Sequence, residues 1–94
     1  MKLEWSEAAQ ADRNAIYDFI DANNPRAAIA VDDRIEEAVE RLVQFPMSGR
    51  IGRVDGTREL VIDRTPYIPA YRIADKTFRV LRLLHGAQEW PDDF

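Results

Sequence analysis

Ile20-Asp21-Ala22-Asn23-Asn24-Pro25-Arg26-Ala27-Ala28 stops one helix and starts the next. Asparagine disfavours a helix interior, and Asn24 can cap a new helix whose first position is Pro25, where no amide donor is required. Upstream, Ala9, Arg13, Ile16 and Ile20, flanked by Tyr17 and Phe19, recur at three and four residues, the period of an amphipathic helix. Ser6 supplies its N-cap, Glu7 suits its positive end, and it should stop near Ala22. Downstream, Ala28, Val31, Ile35, Ala38, Val39, Leu42 and Phe45 form a cleaner apolar stripe. It is backed by Asp32, Asp33, Arg34, Glu36, Glu37, Glu40 and Arg41, and Pro46 closes it. So short a break between two helices implies an antiparallel helix hairpin, one face of which must cover something apolar.

The flanks supply that surface. Lys2 to Trp5 alternates and reads as a short strand that runs straight into the Ser6 cap. Met47 to Thr57 carries Gly49, Gly52 and Gly56 and reads as a connecting loop. Arg58 to Ile62 is a strand with Leu60 and Ile62 on one face, Asp63 to Pro66 a turn, and Tyr67 to Ile73 an extended segment. Within that segment Pro69 cannot donate a ladder hydrogen bond and marks an edge or a bulge. After the turn Ala74-Asp75-Lys76, Thr77 to His85 is the strongest strand, with Phe78, Val80, Leu81, Leu83 and Leu84. The order β-α-α-β-β-β predicts an α+β fold, an antiparallel sheet packed against an N-terminal helix hairpin.

Ninety-four residues make one domain, with a core that buries roughly 60–65% of the unfolded chain's surface. The absence of cysteine excludes disulfides, a thiolate nucleophile and zinc–thiolate sites, and the single histidine, His85, excludes a multi-histidine metal site. No apolar run approaches the ~20 residues of a membrane span, so the chain is expected to be cytoplasmic, with no metal and no cofactor. The net charge of -4 conceals an asymmetry. Acidic side chains dominate residues 1–47, whereas Arg50, Arg53, Arg58, Arg64, Arg72, Lys76, Arg79 and Arg82 outnumber the carboxylates between Arg50 and Arg82. Such a separation fits a basic partner on one side and an acidic target on the other, but composition alone favours an ordinary solvated surface.

Several phrases, taken in order over nearly the whole chain, resemble the RelE/ParE superfamily of toxin–antitoxin toxins. They are Phe45-Pro46-Met47-Ser48-Gly49-Arg50, Arg58-Glu59-Leu60-Val61-Ile62, Pro66-Tyr67 with Tyr71-Arg72-Ile73, and Val80-Leu81-Arg82 through His85-Gly86-Ala87-Gln88-Glu89-Trp90-Pro91. The resemblance implies a cytoplasmic toxin neutralised by a cognate antitoxin whose C-terminal segment wraps it. The pair would then meet operator DNA only through the antitoxin.

One branch of that superfamily cuts messenger RNA on the ribosome, and another inhibits DNA gyrase without being a nuclease. For the nuclease branch the resemblance implies lysines and arginines on the sheet and a late tyrosine. Here the two lysine positions fall on Glu59 and Val61, one arginine position on Ile68 and another near Ala87, and no tyrosine follows Tyr71. A second nuclease pattern would use Glu59, Arg82 and His85, with Arg82 neutralising the scissile phosphate and His85 moving the proton. Gly86, however, stands where its members carry an aromatic hydroxyl. The reading favoured is therefore a ParE-like gyrase inhibitor with no catalytic set, its target-binding candidates being Arg50, Arg53, Arg58 and Arg82. The alternative is a ribosome-dependent mRNA endonuclease using Arg72, Arg82 and His85, and a third is a member that retains antitoxin binding alone. Tyr17, Ile20, Val31, Ile35, Tyr67 and Tyr71 are the candidates for contact with the antitoxin.

Overall fold

The computed structural model describes residues 1–94. Strand β1 (Lys2–Trp5) leads into α1 (Glu7–Asp21) and α2 (Pro25–Gln44), and a 3-10 turn (Pro46–Ser48) follows. Then come β2 (Arg50–Ile51), β3 (Arg58–Glu59), β4 (Tyr67–Ala74) and β5 (Thr77–His85). Both expected caps are made: the Ser6 hydroxyl accepts from the Ala9 amide at 3.0 Å, and the Asn24 side chain accepts from the Ala27 amide at 3.1 Å. The five strands form one sheet in the order β1-β5-β4-β3-β2, with the hairpin on one face, so the α+β architecture is the one expected.

The sheet is mixed rather than wholly antiparallel, because β1 pairs with β5 in parallel, Leu3 opposite Phe78 and Trp5 opposite Val80. The reason is a count of reversals. Helix α1 continues along β5 from Ser6, beside Val80, to Asp12, beside Leu83. The helix hairpin then reverses the chain once, and the links β2–β3, β3–β4 and β4–β5 reverse it three times more. An even number of reversals leaves β5 running the way β1 does. The two-residue β2, which the sequence reads as part of a loop, is a strand antiparallel to β3.

A second difference concerns Arg58 to Ile62, of which only Arg58 and Glu59 pair in the sheet. Leu60 and Ile62 leave the ladder but still pack on the core. This explains Pro69, whose missing donor would point to the β3 side of β4, past the end of β3. Phe45 also departs from the stripe assigned to it. The residue before proline is driven out of the helical region, and Phe45, at φ -129° and ψ 67°, turns into solvent.

A β-bulge sets which residues of β5 face the helices. Ala70 pairs with Arg82 and Tyr71 with Val80, so Leu81 is the extra residue. Phe78 and Val80 face the hairpin below it, and Leu83 does so above it. Arg82 and Leu84 are thereby turned to the outer face. The core has two parts: Ala9, Val39, Leu42, Tyr71, Phe78 and Val80 in one, Ile35, Ile62, Tyr67 and Leu83 in the other. Trp5 packs against both.

Tyr71 joins this core to the exit of α2. Its ring stacks on Phe78 with centroids 4.5 Å apart, and its hydroxyl donates to the Pro46 carbonyl at 2.6 Å and accepts from the Gly49 amide at 3.2 Å. A Cβ at position 49 would collide with that hydroxyl, which accounts for glycine there. Tyr71→Phe should lose about 1–2 kcal/mol of unfolding free energy in urea at neutral pH. Burial raises the Tyr71 pKa above its ordinary 10.0, with the Gly49 amide and Arg58 opposing. The folded state thus prefers the neutral phenol. Its contribution is complete below about pH 10 and is lost as the pH rises through the raised value. The Phe variant should show a flatter stability profile over that alkaline range.

Candidate functional site

Strand β5 outruns its neighbour. Beyond Val80 no strand covers its outer edge, and α1 supplies the missing partners. The Ser6 amide donates to the Val80 carbonyl at 2.9 Å, and the Ser6 hydroxyl donates to the Leu81 carbonyl at 2.7 Å. Asp12 accepts from the Leu83 amide at 2.9 Å and from Nε and Nη2 of Arg82 at 2.8 and 3.1 Å. This two-pronged pairing holds the Arg82 guanidinium firmly charged, the hydrogen bond to Asp12 outweighing desolvation. Arg82 is therefore an edge clamp.

On the outer face, strand pairing lays Arg50, Glu59, Ala70 and Arg82 in one row across β2, β3, β4 and β5. Glu59 is the buried member. One of its oxygens accepts from Nε and Nη2 of Arg50, at 3.1 and 2.7 Å, and from Nε of Arg53 at 3.3 Å. The other accepts from the Arg53 amide at 3.2 Å. The carboxylate side chain is 2% exposed, whereas those of Arg50 and Arg53 are 57% and 45% exposed. Two guanidiniums against one carboxylate leave an excess positive charge at the surface. Arg53 is further fixed by the Trp90 ring, 3.8 Å from its guanidinium carbon.

Of the four target-binding candidates, then, Arg50 and Arg53 form one cluster. Arg58 faces the helix side, where it donates to the Gly49 carbonyl at 2.7 Å and braces the loop. Arg82 is held by Asp12. The nuclease trio is not brought together. Arg72 pairs with Arg79 and His85 with Tyr67, so the two lie near opposite ends of the β4–β5 ladder, about 17 Å apart along the strand. They also lie on opposite faces, His85 toward the hairpin and Arg72 outward. His85 Nδ1 accepts from the Ala87 amide at 2.9 Å and its ring meets Tyr67 edge-on at 5.7 Å.

Among the antitoxin candidates, Ile35 and Tyr71 are buried in the core and offer no surface. Ile20 and Val31 pack at the margin of the second core cluster, and Tyr17 is half-buried on α1. Tyr67 lies beneath an open groove of about 320 Å³ lined by Asp12, Ile16, Phe19, Leu83 and His85. Phe19, 76% exposed at its rim, was treated in sequence only as a flank of the α1 stripe. Asp12 carries no signal in sequence, since its partner lies 70 residues away, and nothing in sequence ties Trp90 to Arg53, 37 residues away. No helix is long and apolar enough to cross a membrane.

The arginine cluster has an asymmetry that mutation can read. Removing Glu59 leaves two guanidiniums that water can solvate, whereas removing both arginines strands a buried carboxylate. In urea unfolding, Glu59→Gln should cost about 1 kcal/mol and the double variant Arg50→Ala/Arg53→Ala about 3 kcal/mol.

Comparison with known proteins agrees with this architecture. Over 90 residues the chain is 39% identical to the toxin Y4kP of Sinorhizobium fredii, covering 96% of this chain and 93% of that one. It is 34% identical over 87 residues to toxin RelE2 of Caulobacter vibrioides, covering 93% and 97%. A solved structure described as the chromosomal ParDE TA system from P. aeruginosa superposes with a TM-score of 0.82 at 33% identity, covering 90% of this chain and 95% of that one. Residues 3–90 match the family described as ParE toxin of type II toxin-antitoxin system, parDE, and the chain belongs to that family.

Proposed function

We propose that this toxin arrests growth by binding DNA gyrase without itself catalysing a reaction, and that a cognate antitoxin neutralises it. The observation that carries the reading is the state of the nuclease candidates. Cleavage of a phosphodiester by the neighbouring 2'-hydroxyl needs a proton acceptor and a cation on the same phosphate. In this chain Arg82 is engaged by Asp12, and Arg72 and His85 face opposite sides of the sheet. The pair Arg50 and Arg53, exposed and in excess over Glu59, suits recognition of an acidic protein surface. Membership of the ParE family supports the same reading.

The antitoxin is assigned to the other side of the molecule. Its apolar segment would occupy the groove between Phe19 and Tyr67, in the manner of an amphipathic segment entering an apolar cleft. Both partners place the toxin in the cytoplasm. The alternative, ribosome-dependent cleavage of messenger RNA, is favoured by one observation, that two similar Caulobacter vibrioides proteins carry RelE names.

Parallel assays separate the two. Purified toxin added to gyrase with plasmid should block supercoiling or leave cleaved plasmid, while message in a translating extract stays intact by primer extension. Cut message with normal supercoiling would overturn the gyrase reading. His85→Gln should leave toxicity unchanged. Phe19→Asp should weaken capture by the co-expressed antitoxin at least tenfold and leave gyrase inhibition in place.

A further inference from the structure

Ile68, Ala70 and Leu84 are almost wholly buried, although they lie on the sheet face away from the helices. Part of their cover is the segment after β5, whose Gly86 sits against Ile68. That segment, Glu89-Trp90-Pro91-Asp92-Asp93-Phe94, combines three carboxylates with two aromatic rings. Trp90 lies on the Arg53 guanidinium at 3.8 Å, while Asp93 and Phe94 line a cleft with Ser6, Leu81, Arg79 and Arg82.

The segment is held lightly. The turn at its root is well tied, with the Gln88 amide donating to the His85 carbonyl at 3.1 Å and the His85 amide donating to the Gln88 side chain at 2.9 Å. Beyond Gln88 no backbone hydrogen bond fixes it, and Glu89, Asp92 and Asp93 take part in no ion pair. One side-chain bond remains, from Trp90 Nε1 to the His85 carbonyl at 3.3 Å. Asp93 thus shares a cleft with Arg79 and Arg82 without pairing to either, while the Trp90 ring does the holding. A segment with so few contacts opens at little cost.

We propose that the outer sheet face is a binding site for an extended protein segment that carries carboxylates around an aromatic side chain, and that residues 89–94 occupy it as an internal ligand in the free chain. The charge complementarity is already present: Arg50, Arg53 and Arg79 border an apolar strip of Ile68, Ala70 and Leu84. An external segment must restore the stack on Arg53 and cover the strip. It gains by forming the ion pairs that residues 89–94 leave unmade. Because the internal segment is tethered, it competes at high effective concentration, and weakening it should unmask the site. This inference does not depend on gyrase being the target.

The probe is a synthetic peptide with the sequence of residues 89–94, titrated into the full chain while the amides of Arg53 and Leu84 are followed by NMR. Trp90→Ala should bind it at least tenfold more tightly than the wild type. A control peptide with Glu89→Gln, Asp92→Asn and Asp93→Asn should bind that variant at least fivefold more weakly than the acidic one. Should Trp90→Ala fail to fold by circular dichroism, Asp92→Asn/Asp93→Asn/Phe94→Ala alters exposed residues alone and should show the same ordering. Equal binding by variant and wild type, equal binding of the two peptides, or no binding by any protein would overturn the proposal. So would a duplex oligonucleotide displacing the peptide from the variant, which would assign the face to nucleic acid.

Discussion

Strand β5 runs for nine residues and β1 for four, and much of the molecule follows from that mismatch. Once β1 ends at Trp5, the backbone of β5 from Val80 onward presents groups that a buried edge cannot leave unpaired. Ser6 and Asp12 satisfy them from α1. The helix is therefore docked along β5 by directed hydrogen bonds as well as by its apolar stripe. Its further end, at Ile16 and Phe19, is carried past the sheet to open a groove above Tyr67 and Leu83. One shortfall of strand thus sets the position of the hairpin, the cover of the edge and the shape of a candidate interface.

The hairpin was legible because its signals are local. Asn24 and Pro25 are a cap and a first helical residue wherever they occur, and the α2 stripe needs no knowledge of the sheet. The strands were less so. β2 and β3 are two residues each and exist only because Tyr71 and Ala70 offer β3 a ladder and β3 offers one to β2, so propensity alone marks neither their limits nor their number. The bulge at Leu81 illustrates the same point. Val80-Leu81-Arg82-Leu83-Leu84 breaks strict alternation, and only the register with β4 shows that its two ends face the core in different phase. From that phase it follows that Leu84 and Arg82 belong to the outer face.

The candidate site divides the same way. Residue type identified arginines in a glycine-rich loop as suited to an acidic partner, and Arg50 and Arg53 do come together. Their organiser, Glu59, had been weighed as a catalytic group. The structure makes it an anchor, because a carboxylate 2% exposed with every near donor on an arginine is already neutralised. Trp90 anchors the segment after β5, and its packing surface is the guanidinium of Arg53. Ile35 is buried because an apolar stripe does not reveal which of its members face the sheet and which its margin, and Tyr71 because spacing along a strand does not reveal which face the helices cover.

Arg82 shows what closing the edge of the sheet asks of a cation. A guanidinium that stabilises a scissile phosphate must have donors free when substrate arrives. Here two of its nitrogens already bind Asp12, whose remaining contact is the Leu83 amide at the edge of β5. Swinging Arg82 out would leave Asp12 charged, partly buried and short of partners, at a cost that substrate binding would have to offset. Catalysis therefore requires a cation that the fold does not use to close its own edge, and the arginines exposed on the outer face sit with Glu59 and Glu4 or opposite one another. Such a face fits the proposed role of holding a charged surface in place.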